Sequence, residues 1–360
     1  MRATRRTQVG SGAIRLAIGL AVLVILLISM ARYASVVPRM LHGSMGPNGN
    51  RLEQASAKAL RFLQRVQLSS GAFPGVLCET RQLSNCLEDI TPFVSTFVLH
   101  DLSLLPPERE PALRKRTINF LLASQRRPGL WAYWLKDNPL HVWAAPDLDD
   151  TSCVRAALAR AGQPMKVGLE EMLRMRTPQG VFWTWFDMSA QANEVDCAVN
   201  ANVVFDMGVE RQQVSEAVAY LNGLFPTRAF DSCSPYYLRA EALFYFISRA
   251  YREGGVMALQ PAVTNASELL PARQQPDGGF GDAPHTAFAA LTWLNAGKRG
   301  PELERAVGWL LDHQRPDGGW DAAATYWRSA GSWAAVYFAS EAMTTALALE
   351  TFIKAQRQSK

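Results

Sequence analysis

From residue 60 onward one unit recurs: an amphipathic helical stretch, a glycine turn and an aromatic residue. Its copies occupy 60–73, 118–131, 169–182, 267–280 and 307–320, with a degenerate copy at 217–230 in the gap. The closing aromatics are Phe73, Trp131, Phe182, Phe230, Phe280 and Trp320, separated by 58, 51, 48, 50 and 40 residues, about one helix pair each. Such a unit buries its apolar face only against neighbouring copies, so the repeat governs everything after residue 50. A second stretch, apolar over most of its surface, follows each aromatic: 91–104, 151–161, 197–207, 235–251, 286–296 and 333–353. Helices of that kind are buried, whereas amphipathic ones face water. Six of each in alternation predict an all-α closed double ring, an (α/α)6 toroid over 51–360, with the apolar helices lining the centre. The glycine permits the tight reversal and the aromatic packs between neighbouring pairs.

The first fifty residues belong to something else. Residues 16–31 carry no charge and are almost wholly apolar, between Arg15 and Arg32. A spanning helix needs roughly 20 such residues, which Ile14 and a snorkelling Arg15 nearly supply. The segment reads as a single-pass anchor or a signal peptide cut after Ala31, within a unit of residues 1–32. The arginines before it favour an N-inside orientation, with the main domain on the outer side of the membrane. Residues 33–50 read as a linker. Net charge is +5 and no basic block is interleaved with aromatics, which argues against nucleic acid. Five cysteines make no disulfide framework, although Cys78 and Cys86, eight apart in a polar loop, pair if the domain is exported.

The chemistry concentrates in Pro146-Asp147-Leu148-Asp149-Asp150-Thr151. One carboxylate suffices to cap a helix. Three this close repel one another and raise the pKa of at least one, which keeps a carboxylic acid protonated and able to donate. Because each inner helix begins just after its turn, all six starts should open on one end of the ring. That rim then holds Glu88, Asp89, Asp147, Asp149, Asp150, Glu194, Asp196, Asp231, Cys233, Asp282 and His285, with Tyr326, Trp327 and Trp333 from the last repeat. Asp196 and Asn200, four apart, share a helix face, and Asn202 points elsewhere.

The turns resemble the QW-type motif of the squalene–hopene cyclase, terpene cyclase and protein prenyltransferase superfamily, most closely at 314–320 (QRPDGGW) and 275–280 (QPDGGF). PDLDDT is similar to the DxDD motif of class II terpene cyclases. That resemblance implies that Asp149 protonates an alkene or epoxide, while Asp147 and Asp150 hold its proton and raise its pKa. No cofactor is called for. Aromatic faces would stabilise the cation, and Trp131, Trp134, Trp183, Trp185, Tyr236, Tyr237 and Trp327 are the candidate walls. Asp196, Asn200 and Asn202 are candidate polar lining. Class II enzymes generally place the cavity between two helical domains; a single ring would be open at its mouth, or covered by the bilayer or a second subunit. Arg239 and Arg328 stand alone, so a neutral isoprenoid or lipid suits the site better than a diphosphate. Asp231-x-Cys233 with His285 resembles instead the zinc ligands of prenyltransferase β subunits, which would activate a thiolate. A third reading is a non-catalytic ring that binds a lipid, peptide or glycan.

Overall fold

The turns fold as their glycines require. In the computed structural model, which describes residues 47–328 and 335–358, Gly71, Gly278 and Gly318 take left-handed backbone with φ of 92°, 93° and 95°. A Cβ at Gly318 would also stand 2.4 Å from the Lys58 carbonyl oxygen, so the close approach demands glycine a second time. The aromatic that follows is buried, and its N–H donates to a side chain on the next helix. Phe73 donates to Ser95, Trp131 to Thr151, Phe182 to Asn200, Phe280 to Thr286 and Trp320 to Thr345. A glutamine amide ties each of three turns outward. Gln67 donates to the carbonyls of Gly71 and Leu113, Gln274 to Gly278 and Glu302, and Gln314 to Gly318 and Ala55. The tying glutamine of the fifth copy is thus Gln274, one residue before the segment read from sequence.

Twelve α-helices occupy the described residues. In chain order they are α1 (Pro47–Val66), α2 (Pro92–Leu104), α3 (Pro111–Ala123), α4 (Leu148–Arg160), α5 (Leu169–Arg174) and α6 (Cys197–Val209). There follow α7 (Ser215–Gly223), α8 (Ala240–Arg252), α9 (Gln260–Leu269), α10 (Ala283–Asn295), α11 (Pro301–Asp312) and α12 (Glu341–Gln358). The even-numbered helices are buried over nearly their whole surface. Each packs against the next, and α12 packs against α2, closing an inner ring. Gln314, on the last turn, reaching Ala55 of α1 closes the outer layer in the same way.

The all-α expectation needs correcting. Strands β1 (Pro74–Cys78), β2 (Leu87–Ile90), β3 (Tyr326–Arg328) and β4 (Val336–Ala339) form an antiparallel sheet in the order β2-β1-β4-β3, joining the first repeat to the last. Val336, Tyr337 and Phe338 favour extended backbone. Ser340 then accepts the Met343 N–H at 3.2 Å, so the sixth inner helix begins at Glu341 and not near 333. The β1–β2 hairpin is closed by the Cys78–Cys86 disulfide. Residues 51–359 form one compact unit. The anchor read at 14–31 lies outside the described residues, among which no helix is long and apolar enough to cross a membrane.

Candidate active site

The starts of the inner helices and the sheet surround a cavity. Its walls come from almost every repeat: Phe93 from α2, Tyr133 and Trp134 ahead of α4, Trp185 ahead of α6, Tyr236 and Tyr237 ahead of α8, and Tyr326, Trp327 and Phe338 from the sheet. Asp147, Asp149 and Asp150 border the same space. Tyr326 stacks on Phe338 with ring centres 5.2 Å apart, and Tyr133 meets both edge-on. Edge-to-face and stacked pairs hold rings at fixed tilt, and these present a rigid apolar wall.

Asp147 is the N-cap of α4 and accepts the Asp150 N–H at 2.8 Å. Asp149, one residue into the helix, has both oxygens engaged: Asn202 donates to Oδ1 at 2.7 Å and the Tyr237 hydroxyl to Oδ2 at 2.6 Å. The orientation of Asn202 is dictated by chemistry. Its Oδ1 accepts from the buried Arg249 guanidinium at 2.8 Å, and arginine has only donors, so the Asn202 NH2 must face Asp149. Burial lifts all three carboxyls. Asp147 rises to about 7, and Asp150 goes well above the carboxylate range through burial and then the charge of Asp147. Asp149 is raised by burial too, but Tyr237, Asn202 and Arg249 all favour its ionised form. Burial, and not the charge of Asp147 or Asp150, is the first cause of the rise at Asp149. Burial keeps the Tyr237 phenol protonated, as a donor.

No protein-family model matches the chain. It is 25% identical over 236 residues to drimenol cyclase drtB of Aspergillus calidoustus, covering 64% of this chain and 41% of that one. It is 28% identical over 198 residues to drimenyl diphosphate synthase of Streptomyces showdoensis, covering 49% and 36%. The chain thus spans well under half the length of these curated relatives. Among solved structures, the type II terpene cyclase MstE from Scytonema superposes with a TM-score of 0.69 at 20% identity, over 87% of this chain and 100% of MstE. The fold is that of a type II terpene cyclase. MstE is matched end to end by one ring, so the two-domain arrangement expected of such cyclases is not a requirement of the fold. A variant of MstE has been solved with geranylgeranyl dihydroxybenzoate as its substrate.

Within this cyclase-like ring several sequence candidates lie elsewhere. Trp131 is fully buried with Nε1 donating to the Leu121 carbonyl at 2.7 Å, and half-buried Trp183 does not border the cavity. Asn200 is spent on a turn, exchanging hydrogen bonds with the Phe182 backbone. Asn202, not Asn200, reaches the acid. Asp196 caps α6 and accepts from Ser234 at 2.6 Å. The zinc set does not assemble. Cys233 is bonded to Cys197 and has no thiolate to offer, Asp231 pairs with Arg228 and Arg273, and His285 Nδ1 meets Asp282 at 2.6 Å. Sequence reasoning passed over Arg249, Tyr133, Phe93 and Phe338. Arg249 reads as an ordinary basic residue in the last turn of a helix. Tyr133 stood beside Trp134, which was chosen. Arg328 borders the cavity with its guanidinium 5.0 Å from the Trp185 ring centre, and Arg239 is paired with Glu241.

Proposed function

We propose that this chain is a class II, protonation-initiated isoprenoid cyclase with Asp149 as its general acid. One arrangement carries the reading: Asp149 stands at an aromatic cavity with both oxygens held by donors that stabilise the carboxylate left behind. The proton passes from Asp149 to a terminal alkene or epoxide, whose electrons form the new bond to hydrogen. Positive charge appears at the more substituted carbon, and internal double bonds attack in turn. The walls solvate that charge through their ring faces without offering a nucleophile. Asp150, held well above the carboxylate range, keeps its own proton. Nothing in this step calls on a metal or cofactor.

A neutral polyprenyl chain or prenylated aromatic suits the site best, since Arg328 is the one cationic side chain among the described residues that border it. Two disulfides suit an oxidising compartment. With the apolar segment 14–31 they support an anchored enzyme whose ring lies outside the membrane and draws its substrate from the bilayer. In sealed vesicles of known orientation, protease added outside should then cut the ring only when that face is outward.

The central test is Asp149→Asn assayed on geranylgeranyl dihydroxybenzoate and geranylgeraniol. Loss of a general acid should lower turnover by about 10²–10⁴-fold, with a melting temperature close to wild type. Turnover left intact would refute the acid role.

A further inference from the structure

Protonation starts such a reaction and something must end it, and the group that takes the last proton need not be the one that gave the first. Asp150 holds a proton, and Asp149 is bonded to Tyr237 and Asn202. A further carboxylate lies behind the cavity wall. Asp89, on β2, is 3% exposed. Its Oδ2 accepts from the Tyr133 hydroxyl and its Oδ1 from Trp134 Nε1, both at 3.0 Å. Those neutral donors and burial are what act on it, and no cation among the described residues pairs with it. A desolvated carboxylate without a counter-charge is costly unless positive charge arrives from elsewhere. Both of its donors line the cavity. The Tyr133 hydroxyl also lies 3.1 Å from that of Tyr326, whose backbone bridges to Tyr237, the phenol bonded to Asp149.

We propose that Tyr133, acting into Asp89, takes the proton that ends the reaction. This rests on the cyclase reading above. A C–H bond next to the final cationic carbon breaks and its electron pair becomes the product double bond. That proton goes to the Tyr133 oxygen as the phenol passes its own to Asp89 Oδ2, turning a carboxylate into a neutral acid. Asp149, left as a carboxylate by the first step, is reprotonated separately, so one proton enters the substrate and one leaves. Burial raises the Asp89 carboxyl above its ordinary range, which makes it a better base than a solvated aspartate. Tyr133 is the group that meets the cation, and Asp89 positions and polarises it.

The test uses the full chain, geranylgeranyl dihydroxybenzoate as probe, and product analysis by mass spectrometry. Asp89→Asn and Tyr133→Phe should lower the share of alkene among the products formed about tenfold in favour of water-captured alcohol. Asp89→Glu should restore the alkene. Tyr133→Phe keeps the ring and guards against a misfolded Asp89 variant. An unchanged product ratio in both variants overturns the inference. A wild type that yields only alcohols overturns it as well. A wild type that leaves the probe intact, or an Asp149→Asn that still consumes it, overturns the cyclase reading and this inference together.

Discussion

Two clusters of buried carboxylates in the ring are treated in opposite ways. At the cavity, Asp147, Asp149 and Asp150 are raised by burial, and their close neighbours are mostly neutral. Towards the far ends of the inner helices, Glu253 and Glu350 lie against Lys354, with Arg160 2.6 Å from Glu253 and His100 within 3.4 Å of Glu253 and 3.6 Å of Glu350. Burial there also pushes upward, but Lys354 and His100 win and hold Glu350 at about 2. Desolvation is common to both places. Between these two clusters the difference is the cation.

The contrast can be broken experimentally, beginning with its largest consequence. Lys354→Met leaves Glu253 and Glu350 buried without their nearest positive charge, and should cost about 3–5 kcal/mol in urea denaturation. Asp147→Asn at the other end keeps a good cap residue and should cost only a few tenths of that. Asn200→Leu orphans the Phe182 backbone and should lose about 1–3 kcal/mol with the rate per folded molecule unchanged. Asn202→Leu should instead remove turnover. Tyr237→Phe deletes one donor to Asp149 and should slow turnover about tenfold, roughly 1.4 kcal/mol of activation energy, with little change in melting temperature.

The smallest expected effect is on pH. Asp147 and Asp196 are both lifted to about 7 by burial, against 3.8 when unperturbed. The native state therefore binds more protons than the unfolded state between those values, and stability falls as pH rises across the window. Melting temperature should be higher at pH 5 than at pH 8, and Asp147→Asn should flatten the slope. Turnover should likewise fade as pH rises through the Asp149 pKa.

The ring itself was legible in the sequence because a turn that needs both glycine and a buried aromatic leaves a mark at fixed spacing. Asp149 was legible because three acids in four residues exceed what a cap requires. The sheet was hidden: its strands are three to five residues long, too short for alternation to register, and they pair across the whole length of the domain. The roles of Asn200 and Asn202 were hidden for another reason. Both sit in a helix buried all round, so no polar face reveals which side meets the turn and which meets α4. Arg249 was invisible because Asn202 and the rings of Phe97 and Phe205, 5.9 and 4.6 Å from its guanidinium, come from other repeats.

The bond between Cys197 and Cys233 pins the segment carrying Ser234, Tyr236 and Tyr237 to the start of α6. Both faces of the acid's support, Asn202 on α6 and Tyr237 on that segment, are thereby tied to one another by a covalent strap. Protein produced where thiols stay reduced would lack that strap and still own every helix of the ring. A preparation judged sound by its helical content alone would then hide a loosened Asp149, whereas counting one free thiol out of five would expose the difference.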